Sequence, residues 1–298
     1  MATNGFQGSE GAPEALSKID QALRLVHDPT SSNDHRRDAQ TYLEGVKESS
    51  EAPLHGYRLA SDKSQEAVVR HYALSLLEHA IRYLWTNYSE EQATVLRNWV
   101  VELNQGVSPA DPPFLRNKTA QLWVEVAKRS WGTEWMDMDS MLVQLWEVPD
   151  SSVHKEIVLF ILETLSDEVF TGDDAVVAFR EGILSKACVE VFTPLAVLLE
   201  SFPNRQAGPD VRQGTEGWLS RLSAFLEYCL TSDAKDNEEV KSCAVKGLST
   251  FLSLMPWAIP KAIAAARCVD IMLTALNSTN IDAQKVRLTI SNPSCLAC

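Results

Sequence analysis

Apolar residues in this chain recur at spacings of three and four, and each run is cut by proline, glycine or a polar cluster after a few turns. That pattern constrains the fold more than any single motif, because a 3.6-residue period puts one apolar stripe on each helix and the stripe must be buried against another helix. Leu16, Ile19, Leu23 and Val26 form the first stripe, which Asp28-Pro29 ends. A second helix is expected over 34–47, with Ala39, Tyr42, Leu43 and Val46 facing inward and Asp34 near its positive end. A short helix over 54–60 and a long one over 64–85 follow, with Ser64 as the N-cap of the second. Ser89 and Gln92 fit the S-x-x-Q capping box of a helix over 89–105, closed by Gly106. Asp111-Pro-Pro opens the next, which buries Leu115, Leu122, Trp123 and Val126 and runs to Trp131, where Gly132 stops it.

Further helices are expected over 134–146, 152–170, 173–200 with a break at Pro194, 218–230, 238–255 and 259–276. FPNRQAGPDVRQGTEG is the clearest loop, and alternation of period two is nowhere sustained, so no strand is expected. About a dozen helices, one pair every 40 or so residues, is the period of HEAT-type repeats. The expected class is therefore all-α, a right-handed α-solenoid of HEAT-type helical hairpins forming the N-terminal portion of a superhelix. An irregular helical bundle fits the same spacing.

With 45% hydrophobic and 22% charged residues the chain can bury a core. A net charge of −13 argues against a broad basic surface for nucleic acid. The opening MATNGFQGSEGAPEA has neither a basic nor an apolar segment of a secretory signal, and the apolar stretch 191–199 is too short and interrupted to span a membrane. Membrane insertion is not expected. Cys188, Cys229, Cys243 and Cys268 fall inside helical patterns and read as buried free thiols. The triplets beginning at Asn87, Asn117 and Asn277 read as chance matches to the glycosylation pattern.

No phosphate-binding glycine loop, nucleophile elbow or H-E-x-x-H pair occurs, so an enzyme is the weakest class and neither cofactor nor metal is expected. Cys295 and Cys298 form the one C-x-x-C, without the further ligands that zinc requires. His71 and His79 stand too far apart on one helix to share an ion. Leu195 to Leu199 fits an LxxLL box, which in a helical protein reads first as its own buried stripe. A polar strip is more informative. Arg70, Glu78 and Arg82 share the side of their helix opposite the apolar stripe, and Lys118, Gln121, Glu125 and Lys128 form a similar strip on the helix from Pro113. In a superhelix the second helix of each pair lines the concave wall, the usual binding surface. A solvated face is the plainer reading of the same residues.

The stretch GYRLASDKSQEAVVRHYALSLLEHAIRYLW resembles the N-terminal HEAT repeats of the karyopherin-β nuclear transport receptors. NKTAQLWVEVAKRSWGTEWMDMDSMLVQLW is similar to the exportin pattern K-R-x-W-P-x-x-W-P-D-M, and SSVHKEIVLFILETLSDEVF follows as the next inner helix, most like the exportin-five branch. The chain departs from the pattern where Gly132 and Met136 replace its two prolines. Gly132 can still turn the chain, and Trp131 and Trp135 can still anchor the turn.

This resemblance implies a receptor that shuttles between nucleus and cytoplasm. It implies binding of the small GTPase Ran in its GTP form through the first repeats, of export cargo (protein and structured small RNA) together with it, and of nucleoporin phenylalanine-glycine repeats. A helical-repeat scaffold and an importin-type receptor are the competing readings. The expected organisation is a disordered start over 1–12, importin-β-like repeats over 13–110, exportin-type repeats over 111–285 and a tail over 286–298 foreign to the family. Residues 281–285 begin another helical pattern that RLTISNPSCLAC abandons, and Val286-Arg287 can be encoded by the start of a splice donor, so a retained intron or mistaken gene model is the expected source of the tail.

Overall fold

Helix caps define the segments. Ser32 accepts a hydrogen bond from the His35 amide at the start of one helix, and Ser89 with Gln92 completes a reciprocal capping box at another. The computed structural model describes residues 6, 12–204, 210–231 and 237–277. Within them lie fourteen α-helices and no strand. The expected tail, the helical start over 281–285, the disordered start apart from Phe6 and Ala12, and the Cys295/Cys298 pair lie outside the described residues. The all-α, HEAT-type class expected from the spacing is the class found.

The chain divides into two units, 1–126 and 127–298. The first contains α1 (Ala12–His27), α2 (Asn33–Lys47), α3 (Ala52–Ser61), α4 (Ala67–Tyr83), α5 (Glu90–Gln105) and most of α6 (Pro113–Ser130). α1 packs on α2 and α3 on α4 as hairpins. Ile19, Leu54, Leu76, Leu77, Ile81, Leu96 and Trp123 are fully buried in its core. At Gly56 an added Cβ would stand 2.8 Å from the Ala73 carbonyl oxygen, so glycine is what lets α3 approach α4 this closely. Tyr72 ties α4 to α2 through its hydroxyl, which donates to the Leu43 carbonyl at 2.7 Å. Ser64 does not cap α4. Its amide and hydroxyl both donate to the Asp62 carboxylate, and this local turn delays the helix to Ala67, with Glu66 as a cap residue whose side chain makes no capping bond.

The second unit holds the end of α6, then α7 (Met138–Trp146), α8 (Ser152–Phe170), α9 (Ala175–Phe192), α10 (Leu195–Ser201), α11 (Trp218–Thr231), α12 (Glu238–Leu254), α13 (Pro260–Ala265) and α14 (Cys268–Asn277). α12 lies along α8, joined by Ser166 Oγ donating to Ser253 O at 2.9 Å and Trp257 Nε1 donating to Ser166 Oγ at 2.7 Å. The break at Pro194 falls where expected, between α9 and α10. The single helix expected over 259–276 is two. The Ser223 hydroxyl donates to the Ala266 carbonyl, and Arg267 takes a left-handed φ of 54°, which turns the chain between α13 and α14. α7 begins four residues later than expected because 131–137 forms a turn of its own.

Candidate partner-binding face

The residues of the polar strip sit on α4 and α6, and most of their charges are matched from within the chain. Arg70, in the first turn of α4, places Nη1 2.5 Å from Asp111 Oδ1, while Lys63 Nζ reaches Asp111 Oδ2 at 2.8 Å. The Ser108 amide donates to the same carboxylate at 2.9 Å. Burial pushes the Asp111 carboxyl up, but these three donors outweigh it and hold its pKa at about 2. Arg70, Asp111 and Lys63 line a cavity of about 160 Å³ in the first unit.

One turn of α6 beyond Phe114, Lys118 pairs with Glu78 of α4, and Arg82 lies 4.0 Å from the other Glu78 oxygen. Gln121 donates to Glu125 at 3.3 Å. Glu125 corrects the expectation of a solvated strip, since only 2% of it is exposed. Lys128, 1% exposed, is the second correction. Its ammonium lies 2.5 Å from Glu168 Oε2, at the end of α8, and 2.9 Å from Asp174 Oδ2, the N-cap of α9. The strip's spacing on α6 was legible, whereas the acidic partners that draw Lys128 inward come from segments 40 and 46 residues further along.

Trp131 and Trp135 are buried on either side of the turn after α6, and Gly132 takes φ 77°. The Thr133, Glu134 and Trp135 amides all converge on the Ser130 carbonyl at 3.0 to 3.2 Å. Arg180 of α9 completes the turn, a role that nothing in the local sequence marks. Its guanidinium donates to the Lys128 and Trp131 carbonyls, each at 2.7 Å, and to Thr133 Oγ1 at 3.0 Å, satisfying acceptors that the end of a helix leaves unpaired. Lys128 thus holds the start of α9 while Arg180 of α9 holds the end of α6. Asp139 plays a comparable part in α7, accepting from Trp218 Nε1 and the Gln213 amide, each at 2.6 Å. Burial nevertheless leaves its carboxyl above the usual range, against the lowering effect of those donors.

Two features of α4 and α6 escape a reading by polarity. Phe114 and Tyr83 are large aromatics that remain 51% and 65% exposed. Phe114 meets the exposed His71 edge to face at 5.7 Å, and the Arg82 guanidinium lies 5.9 Å over the Tyr83 ring. Phe114 precedes Lys118 by four residues and so falls on the polar side of α6, whereas Tyr83 follows Leu76 by seven and continues the apolar side of α4, where periodicity alone would bury it.

Chemistry is sparse elsewhere. Cys188, Cys229, Cys243 and Cys268 are buried free thiols, as expected, and burial pushes all four up, Cys229 to about 11 and Cys243 and Cys268 to about 12. Leu198 of the LxxLL box is buried, but Leu199 is half exposed. Among the described residues no group of three or more metal-ligating side chains is assembled, and no helix is long and apolar enough to cross a membrane.

Comparison with known proteins gives this geometry its context. The family model described as Importin-beta N-terminal domain matches residues 39–104, and that described as Exportin 1-like protein matches 112–188. Protein MSN5 of Saccharomyces cerevisiae is 32% identical over 286 residues, covering 91% of this chain and 23% of its own length. Exportin-5 of Homo sapiens is 25% identical over 283 residues, 88% of this chain and 21% of its own. Exportin-5 of Dictyostelium discoideum is 28% identical over 155 residues, 52% of this chain and 13% of its own. The chain therefore spans less than a quarter of the length of these relatives. With α2 to α5 in the importin-β-type match, α6 to α9 in the exportin-type match and relatives of one kind along nine-tenths of its residues, the chain belongs to the karyopherin-β family as an exportin-5-like member.

Proposed function

We propose that the chain acts in nuclear export, binding the GTP form of Ran through the exposed face of α4 and α6 and holding export cargo together with it. The observation that carries this reading is the position of that face. Arg70, Glu78 and Arg82 fall within the match to the importin-β N-terminal domain, and Lys118, Gln121, Glu125 and Lys128 within the adjoining exportin-type match. The names of the relatives, Exportin-5 among them, support the direction of transport. Of the seven strip residues, Glu125 and Lys128 act on the surface through the helix they hold in place, since neither reaches solvent.

Cargo on this reading is protein or structured small RNA. The acidic balance of the chain favours protein at this end. Passage between nucleus and cytoplasm would use contacts with nucleoporin phenylalanine-glycine repeats. The receptor performs no chemistry; its output is a coupling between two binding equilibria.

A pull-down of purified Ran, loaded with a non-hydrolysable GTP analogue or with GDP, tests the reading. Selective retention of the GTP form is expected, because coupling requires different affinities for the two states. Equal retention of both forms would overturn it in favour of a scaffold. Adding GTP-loaded Ran to chain and cargo distinguishes export from import by sign, since an export receptor gains cargo and an import receptor releases it.

A further inference from the structure

The cavity of about 160 Å³ in the first unit is lined from α3, α4, α5 and the start of α6, and its lining is of two kinds. Leu74, Leu103, Val107 and Leu115, all buried, make an apolar wall. The charged lining sets Lys63, Arg70 and Arg116 against Glu102 and Asp111, a local excess of one positive charge in a chain of net charge −13.

The bonds these groups already make decide which of them can meet a ligand. Asp111 is full, because Oδ1 accepts from Arg70 Nη1 while Oδ2 accepts from Lys63 Nζ and from the amide and hydroxyl of Ser108. Glu102, exposed, accepts from the hydroxyl of Tyr57, whose ring is stacked on Trp99 at 4.7 Å. The cations retain capacity. Arg70, with 13% of its side chain exposed, gives Nε to the Ala60 carbonyl at 3.2 Å and Nη1 to Asp111, so three of its five N–H groups make no bond among the described residues. Lys63 commits its ammonium to Asp111 alone, which leaves two of its three donors. Donors therefore exceed acceptors around the cavity, and an anionic acceptor would complete the set.

We infer that this cavity binds a single carboxylate carried on a short apolar stem, with its oxygens on Arg70 and Lys63 and its carbon atoms against Leu74, Leu103, Val107 and Leu115. A cavity of this volume holds a body of about six heavy atoms. One negative charge cancels the local excess, whereas a cation would add to it and a dianionic phosphate would overshoot it beside the ionised Asp111. The paired oxygens of a carboxylate also match the planar fork of a guanidinium. Asp111 acts as the positioning residue, since it holds both cations in place before any ligand arrives. Two sources present this chemistry, a free short-chain carboxylic acid and the glutamate side chain of a bound protein. The inference concerns the cavity alone and stands whether or not the chain binds Ran.

The probe is butyrate, titrated into the full chain at constant ionic strength while NMR follows the methyl resonances of Leu74, Leu103, Val107 and Leu115. Saturable shifts are expected, with a Kd in the millimolar range for so small a ligand. n-Butanol and n-butylamine should bind at least about tenfold more weakly, since neither supplies the charge-assisted bonds. Lys63→Ala, at a half-exposed position, should weaken butyrate about fivefold or more, and Arg70→Gln should abolish saturation, with circular dichroism confirming that each variant is folded. N-acetylglutamate methylamide separates the two sources. Binding like that of butyrate assigns the cavity to a glutamate side chain, and its exclusion with butyrate retained assigns the cavity to a free acid. Butyrate no tighter than butanol, butylamine tighter than butyrate, a folded Lys63→Ala without effect, or no saturation below about 0.1 M would each overturn the inference.

Discussion

Replacing Lys128 by methionine tests the tie between α6 and α9 directly. Methionine retains most of the buried stem and deletes the ammonium, so packing is largely conserved and the electrostatic loss stands alone. Two carboxylates then lose their shared cation: Glu168 at 2.5 Å and Asp174 at 2.9 Å, each with 26% of its side chain exposed. Removing one partner of a buried ion pair costs about 3 to 5 kcal/mol. The partial exposure of both carboxylates allows water to return to them, which places the expected loss near about 3 kcal/mol at pH 7. For a unit of this size that is roughly 6 to 12 °C in Tm. The pH dependence supplies the sharper check. Burial raises the Asp174 carboxyl, but hydrogen bonds from Lys128 and the Val176 amide bring it below the usual value. Its contribution is therefore complete above the unfolded carboxylate pKa and is lost as pH falls through the folded one. Methionine removes the main lowering contact, so the gap between unaltered and variant chains should hold from pH 7 down to about pH 4 and narrow below it, as Asp174 of the unaltered chain takes up its proton. Urea denaturation followed by circular dichroism at several pH values measures this gap. A loss below about 1 kcal/mol, or one independent of pH, would show that the pair behaves as a surface contact and refute the reasoning.

Gly132→Pro would bring back the residue of the exportin pattern, yet φ 77° is inaccessible to proline, so a loss of about 3 kcal/mol is expected in the same assay and an increase in Tm would refute the turn geometry. Gly132→Ala should cost less, about 1 to 2 kcal/mol. Asp111→Asn should lower stability at pH 7 by about 2 kcal/mol and remove the acid-side loss that the unaltered chain shows between about pH 4 and pH 2, because the depressed carboxyl stabilises only while ionised. In a variant with Cys295 and Cys298 changed to serine, the four buried thiols should react with Ellman's reagent only as fast as the protein unfolds; rapid reaction in native buffer would contradict their burial.

Local patterns carried the sequence a long way. Helix positions, the Ser89 and Gln92 box, the stop at Gly132, the break at Pro194 and the buried tryptophans around the turn all depend on residues within about a turn or two of each other, where spacing and capping chemistry act. The resemblance to karyopherin-β receptors rests on the same contiguous stretches, and the comparisons agree with it. Ser64 shows the limit even at short range, because the turn it makes onto the neighbouring Asp62 carboxylate leaves it ahead of the helix start, too far back to cap it.

Polarity alone established that α4 and α6 carry a strip of charged side chains, but not what those charges do. Arg70 finds Asp111 across 41 residues and Lys118 finds Glu78 across 40, while Lys128 is drawn beneath the surface by Asp174 across 46. Those pairings follow from how helices stack, and stacking is decided by the shape of apolar faces that the periodicity counts without placing. For the same reason tertiary structure alone revealed Arg180 as the cap of α6 and left Tyr83, on the apolar side of α4, exposed beside His79.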